Sequence, residues 1–327
     1  MSAETALVTG AGGFIGGHLA TTLVGAGHRV RAFVRYNSRN DRGTLEWHDQ
    51  PTVRELDVVF GDLRDAESVA AALVGVDVVY HLGAQIAIPY SYVNARDFFE
   101  TNVLGTLNVA EAAVRVGVRR VIQASTSEVY GTAQVVPMTE DHPLQAQSPY
   151  AASKIGSDML IESFARSHHL PMTIVRPFNT YGPHQSARAI IPTIITQALT
   201  GSAIRLGSLD ARRDLTFVSD TVAGFVSAAA SAAAIGRTVQ LGTGTDASVG
   251  EIVALVGECL RRRLDVELDE ARVRPPHSEV ARLLSDPRLA HELIGWRPVV
   301  DLHAGLTATI EWIRSNADRY RAGEYMT

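Results

Sequence analysis

Thr9-Gly10-Ala11-Gly12-Gly13-Phe14-Ile15-Gly16 follows the apolar run Ala6-Leu7-Val8 and opens a segment, 14–24, with the apolar spacing of a helix. A strand, a glycine-rich turn and a helix in that order decide the fold. Gly10 permits the tight turn, Gly13 lets backbone approach a pyrophosphate, and Gly16 lets helix and strand pack closely. The free N–H groups of the first helical turn, at Phe14 and Ile15, then face the phosphates. Gly10, Gly13, Phe14, Ile15 and Gly16 are therefore the expected diphosphate contacts of a bound dinucleotide.

Outward from this loop, strand and helix patterns alternate. Segments 29–34, 57–61, 76–81, 118–124 and 172–176 read as short apolar strands, and 98–116 and 149–167 as helices, the second with Pro149 at its entry. Such alternation predicts a parallel sheet covered by helices on both faces. Beyond Pro177 the pattern is irregular, except that 214–234 reads as a strand and an alanine-rich helix that return to the first unit. The fold expected is α/β: a doubly wound Rossmann domain from 1–176 and 212–240, and a smaller mixed α/β substrate-binding domain from 177–211 and 241–327.

Composition narrows the class. The chain has 327 residues, 46% hydrophobic, enough for a large core. A net charge of -5 offers no electrostatic case for nucleic acid or an anionic membrane. The single cysteine, Cys259, excludes an internal disulfide and a cysteine metal cluster, and no metal site is assigned. No apolar run reaches the ~20 residues of a membrane span. Met1-Ser2-Ala3-Glu4 leads directly into a strand, without the pattern of a signal peptide. A cytoplasmic protein is expected.

Of the 30 basic side chains one alone, Lys154, is lysine, and it stands four residues after Tyr150. On a helix that spacing puts both side chains on one face. A tyrosine is a poor base near its ordinary pKa of ~10, but a cation within reach stabilises the phenolate. The phenolate then takes the proton of an alcohol while hydride leaves the carbon. A compact ammonium bonds ribose hydroxyls beside a phenolate where a planar guanidinium does not fit. The segment Ser125-Thr126-Ser127-Glu128 follows the fifth strand, at the sheet edge where open α/β sheets bind ligands. Thr126 is placed to bond the same alcohol oxygen as Tyr150. Glu128 is not needed for alcohol oxidation; it suits removal of a proton next to a new ketone.

The second strand ends Val34-Arg35, without the acid that holds the ribose hydroxyls of NAD. Arg35 is suited to a 2′-phosphate, which favours NADP over NAD. Asp62, after Gly61, suits the adenine amine or a helix cap.

Together, Thr9 to Gly16, Asp62, His81-Leu82-Gly83-Ala84, Asn102, Thr126, Tyr150 with Lys154, Arg176-Pro177-Phe178-Asn179 and Arg213-Asp214 resemble the extended short-chain dehydrogenase/reductase family. The resemblance runs through the whole chain. It implies an NAD(P) cofactor further contacted by Leu63, Leu82 and Ala84, a nucleotide-diphosphate sugar contacted by Ser127, Asn179, Arg213 and Arg274, and a homodimer built on helices 98–116 and 150–167. Within the family, Thr126-Ser127-Glu128 is similar to the sugar-nucleotide 4,6-dehydratases of the GDP-mannose type. The stretches 87–92, 176–183 and 185–197 are similar to 4,6-dehydratases of legionaminic acid pathways, which implies a nucleotide-linked N-acetylglucosamine as substrate. Gly83 stands where many members carry alanine. Ser127 stands where dTDP-glucose dehydratases carry an acid, so Glu128 takes both proton transfers. The reaction implied is oxidation at C4, loss of water across C5 and C6, and return of the hydride to C6. A 4-epimerase, a UDP-glucuronate decarboxylase and a cofactor-binding regulator without turnover are the rival readings.

Overall fold

The computed structural model describes residues 4–201, 203–272, 275 and 277–320. Its strands are β1 (Thr5–Thr9), β2 (Arg29–Arg35), β3 (Asp57–Gly61), β4 (Val78–His81), β5 (Arg120–Ala124), β6 (Met172–Pro177), β7 (Asn179–Tyr181), β8 (Ala203–Leu206), β9 (Arg212–Phe217), β10 (Thr238–Leu241), β11 (Asp246–Ser248), β12 (Asp265–Leu268) and β13 (Arg282–Leu283). Seven of them form one parallel sheet in the order β10-β6-β5-β4-β1-β2-β3. Successive residues of β1 point to opposite faces: Ala6 and Val8 enter one apolar cluster, Leu7 the other. Both faces are buried, so the strands read as continuous apolar runs. The helices Phe14–Gly25 and Val218–Ala230 cover one face; Ala66–Leu73, Gly105–Val116 and Pro149–His168 cover the other. The Rossmann reading therefore holds.

Capping chemistry fixes the helix starts that matter. The Asp65 side chain accepts from Glu67 N at 3.1 Å and starts Ala66–Leu73. The Ser148 hydroxyl accepts from Ala151 N at 3.1 Å, with Pro149 in the first turn of the next helix. Each cap is worth about 1 kcal/mol.

Two expectations need correction. The segment expected to return to the first unit divides. Its helix, Val218–Ala230, packs on the large sheet through Val222, Phe225 and Ala228. Its strand, β9, does not join that sheet but pairs with β7, β11 and β13 in a second, four-stranded sheet. The cause is Asp214, whose buried carboxylate is bonded by Thr243, Gly244 and Ser285 and so fixes β9 among the later segments. Thr238–Leu241 is the seventh strand instead. The helix expected over 98–116 is also interrupted: Glu100–Leu104 is a π turn between two α segments. A π turn widens the helix by one residue and re-aims a side chain, here Asn102.

β7, β8, β9 and β11 and the helices Ile190–Thr200, Val249–Leu260 and Leu302–Ser315 contribute to a separate apolar cluster. Among the described residues, no helix is long and apolar enough to cross a membrane.

Candidate active site

The carboxyl ends of β1, β4 and β5 bring the expected site residues together. At β1, Gly10 has φ +71, and a Cβ there would lie 2.8 Å from Gly83 Cα; a Cβ on Gly16 would lie 2.2 Å from Gly10 O. No other residue fits either place. Exposed Gly13 precedes the Phe14–Gly25 helix, and no side chain caps that terminus. Its N–H groups stay available to an anion. This cradle fits a dinucleotide diphosphate. A Cβ on Gly83 would lie 2.7 Å from Leu63 Cδ1, the tip of a side chain. Leu63 is buried beneath the site, and Leu82 and Ala84 are half-buried beside it.

Val34 is buried and Arg35, the last residue of β2, is exposed. Asp62 is not a helix cap; its carboxylate takes the Arg64 guanidinium at 2.6 Å and 3.0 Å. That contact holds Asp62 below the usual carboxylate range, and the Arg35 charge adds to the effect.

At β5, Thr126 caps the short turn Ser127–Tyr130, its hydroxyl accepting from Glu128 N at 3.2 Å. The Thr126 side chain lies close enough to lower the Tyr150 phenol. Glu128 is half-buried, and its charge reaches Tyr150. Ser127 is buried in the turn. Phe98 packs edge-on against Tyr150, ring centroids 6.2 Å apart.

The electrostatics differ from the sequence expectation. Lys154 is 4% exposed, and its ammonium donates to Ala124 O at 2.7 Å. Burial pulls it down to about 8, partly offset by Asp158. Tyr150 is pushed up rather than down: burial dominates, Thr126 lowers it, and the charges of Glu128 and Asp158 raise it further. The ammonium is engaged by a carbonyl, and the phenol lies in the field of two carboxylates.

A polar scaffold lies beneath. Gly83 N–H donates to Thr9 Oγ1 at 3.0 Å, and Thr106 Oγ1–H donates to Asn102 O at 2.6 Å. His81 bridges the two hydroxyls, Nδ1 to Thr9 at 2.7 Å and Nε2 to Thr106 at 3.1 Å. The two flanking bonds fix its tautomer: Nε2 carries the proton and Nδ1 accepts. Burial and the Lys154 charge hold His81 down to about 3, so it stays neutral. Asn102 bonds the Gln85 backbone on one side and Ser153 Oγ at 2.9 Å on the other. One continuous chain thus links the phosphate loop to the helix that carries Tyr150.

Sequence reasoning gave Asn102 no role and passed over Ser125 and Asp158. Asp158 accepts from Ser125 Oγ at 2.7 Å and from the buried Arg176 guanidinium at 3.1 Å. Its spacing was the available signal: it follows Lys154 by four residues, one further turn along the same face. In the second half, Asn179 opens β7 with its buried Oδ1 unpartnered, a gap that suits a ligand. Arg213 is 8% exposed and paired with Glu279 at 3.2 Å. Arg274 lies outside the described residues.

A family model described as GDP-mannose 4,6 dehydratase matches residues 7–309. A dTDP-glucose 4,6-dehydratase of Streptomyces antibioticus is 33% identical, over 95% of this chain and 92% of its own. A UDP-glucose 4-epimerase of Mycolicibacterium smegmatis is 32% identical, over 95% and 99%. The dTDP-glucose 4,6-dehydratase of Streptomyces venezuelae, solved with NAD bound, superposes with a TM-score of 0.86 at 32% identity, covering 97% of this chain and 98% of that one.

Proposed function

The chain belongs to the GDP-mannose 4,6-dehydratase family of nucleotide-sugar enzymes, and from that premise we propose that it removes water from a nucleotide-linked hexose to give the 4-keto-6-deoxy sugar. An N-acetylglucosamine nucleotide is the substrate proposed, on the sequence stretches given above. What supports the reading is that Thr126 and Glu128 share the turn after β5 and that the Glu128 charge acts on Tyr150. An epimerase has no use for that carboxylate.

Gly10, Gly13, Phe14, Ile15 and Gly16 hold the dinucleotide diphosphate, Asp62, Leu63, Leu82 and Ala84 line its path, and Lys154 bonds its ribose. Arg35 selects NADP over NAD. An oxidised nicotinamide, when bound, would supply a hydride acceptor and a positive charge. Tyr150 Oη takes the proton of the C4 hydroxyl while Thr126 Oγ1 holds that oxygen. Glu128 removes the proton from C5, made acidic by the C4 ketone, and delivers it to the C6 hydroxyl, which departs as water; the hydride taken from C4 would then return to C6 and a proton to C5, which gives the 4-keto-6-deoxy sugar. Asn179, Arg213 and Arg274 hold the diphosphate of the sugar nucleotide, and Ser127 lies against the sugar. A homodimer through the helices at 98–116 and 150–167 belongs to the same reading, supported by the exposed apolar side chains Phe99, Leu104, Val116 and Met159.

Mass spectrometry of a panel of GDP-, UDP-, CDP- and dTDP-linked sugars tests the reading. Loss of one water from one of them is expected. Glu128→Gln is expected to slow that loss by about 10²–10⁴-fold, while reduced cofactor still appears on mixing. Inversion at C4 without loss of mass replaces the reading with epimerisation; release of CO₂ from UDP-glucuronate replaces it with decarboxylation.

A further inference from the structure

Away from the Tyr150 site, on the outer side of the phosphate-loop helix, three histidines that the dehydration scheme does not use come together. His18 lies on the Phe14–Gly25 helix, His48 follows the turn Gly43–Trp47, and His184 follows β7. One ring nitrogen from each lies within 4.8 Å of the other two. We propose that His18, His48 and His184 bind a zinc-class divalent cation and thereby fasten the phosphate-loop helix to the segments after β2 and β7.

Three features of the cluster favour a ligand site over plain packing. The first is the direction of the hydrogen bonds. The Thr21 hydroxyl donates to Gly17 O at 3.0 Å, so its oxygen accepts from His48 Nδ1, 3.4 Å away. His48 Nε2 is thereby left with its lone pair, facing His184 Nδ1 at 3.0 Å. A metal-ligating imidazole is ordinarily held by an outer partner in this way. His18 Nε2 bonds Pro183 O at 3.0 Å, a partner that only its N–H can serve, and its Nδ1 lone pair remains.

The second feature is distance. Nitrogens around tetrahedral zinc lie about 3.3 Å apart, from Zn–N bonds of about 2.0–2.1 Å. Ligation brings the three nitrogens, now within 4.8 Å of one another, to that spacing. Ligation opens the stacked contact of the His18 and His184 rings, now 4.7 Å apart and tilted by 26°. The proton of His184 Nδ1 moves to its Nε2.

The third feature is the backbone built around the cluster. A Cβ on Gly17 would lie 2.9 Å from His48 Nε2, so a larger residue there would push that ring from its present place. His184 is held at φ +69, a left-handed conformation that costs a non-glycine residue of order 1–2 kcal/mol. Burial keeps all three imidazoles below their ordinary range, and neighbouring rings add to it at His48, at about 4, and His184, at about 3, so each is neutral near pH 7. Trp47 and Trp312 pack against His184 and fix its position. Three neutral ligands suit zinc, cobalt, nickel or copper rather than calcium or magnesium. They leave the ion's charge uncompensated, and Arg319 opposes it at His184. A fourth position is left for water.

Cobalt titration of the full-length, tag-free chain tests the site, because Co²⁺ in a nitrogen-rich tetrahedral site absorbs visibly. One equivalent with that spectrum, competed away by Zn²⁺, is the expected result. His48→Gln should weaken binding by about a hundredfold or more, since loss of an outer partner alone costs about 10–100-fold. Thr21→Val should cost about tenfold. His184→Asn, which tolerates the left-handed backbone, supplies a second ligand deletion that folds. A featureless cobalt spectrum in the parent chain overturns the proposal. So does a spectrum that persists unchanged in both His48→Gln and His184→Asn.

Discussion

Two buried aspartates, one in each half of the molecule, are satisfied in opposite ways. Asp214, in the second sheet, receives Thr243 N and Oγ1 at 2.7 Å on one oxygen and Gly244 N, Ser285 N and Ser285 Oγ on the other. Asp158, beneath the catalytic helix, receives Ser125 and Arg176 on Oδ2 alone, and its Oδ1 has no partner. A fully ligated carboxylate is a structural tie. An under-ligated one keeps part of its charge for its neighbours, and that charge raises Lys154 and Tyr150 together. Asp158→Asn should do the most harm: about 3–5 kcal/mol of stability, from a buried Arg176 left without its ion pair. Turnover per folded molecule should also fall, because Lys154 loses the charge that supports its ammonium. Asp214→Asn should cost about 1–3 kcal/mol, one amide hydrogen replacing an acceptor, and leave turnover per folded molecule unchanged. Urea midpoints with kcat/KM corrected for the folded fraction separate the two. Equal losses of corrected activity would break the contrast.

The same difference sets a pH dependence. Lys154 titrates at about 8 in the folded chain against an ordinary 10.5. Between those values the unfolded chain binds the extra proton, so this group's share of stability rises with pH across that window. Activity runs the other way, because the ammonium proposed to bond the cofactor ribose is lost above about 8. A falling alkaline limb in kcat/KM, with an apparent pKa of about 8, is expected for the free enzyme. Lys154→Arg keeps its charge and should lose that limb, at a lower plateau. A limb that survives in Lys154→Arg belongs to another group.

The phosphate loop and Lys154 were legible because local rules dictate them. Gly10 needs its positive φ, Gly16 its missing Cβ, and a lone lysine one turn from a tyrosine is conspicuous on any helix. β9 was misread because strand propensity says nothing about which sheet a strand joins; Asp214 and its partners, up to 71 residues away, decide that. The π turn was hidden because apolar spacing continues across Asn102, whose two bonded partners come from 17 residues before and 51 after. The phenol's upward shift was hidden for a different reason. The spacing of Tyr150 and Lys154 states that they are close, not that Ala124 O already holds the ammonium. The three histidines, separated by 30 and 136 positions, follow no motif at all; only the fold joins them.

The smallest expected effect lies at the ends of β2 and β3, where an exposed and an engaged charge stand side by side. Asp62 is clamped by Arg64, so its carboxylate is the less available of the two for an adenosine ribose. Arg35 is exposed at the neighbouring strand end. A 2′-phosphate arriving there meets one open guanidinium and a carboxylate already neutralised by another. A charge-assisted hydrogen bond contributes about 1.5–3 kcal/mol, and each 1.4 kcal/mol is tenfold. Arg35→Ala should therefore weaken NADP⁺ binding by about 10–100-fold and change NAD⁺ binding little, as read by fluorescence titration of each dinucleotide. Tighter binding of NAD⁺ than NADP⁺ by the parent chain would mean that Arg35 is only a solvated strand end, and that the missing acid at Val34 is compensated elsewhere on the ribose.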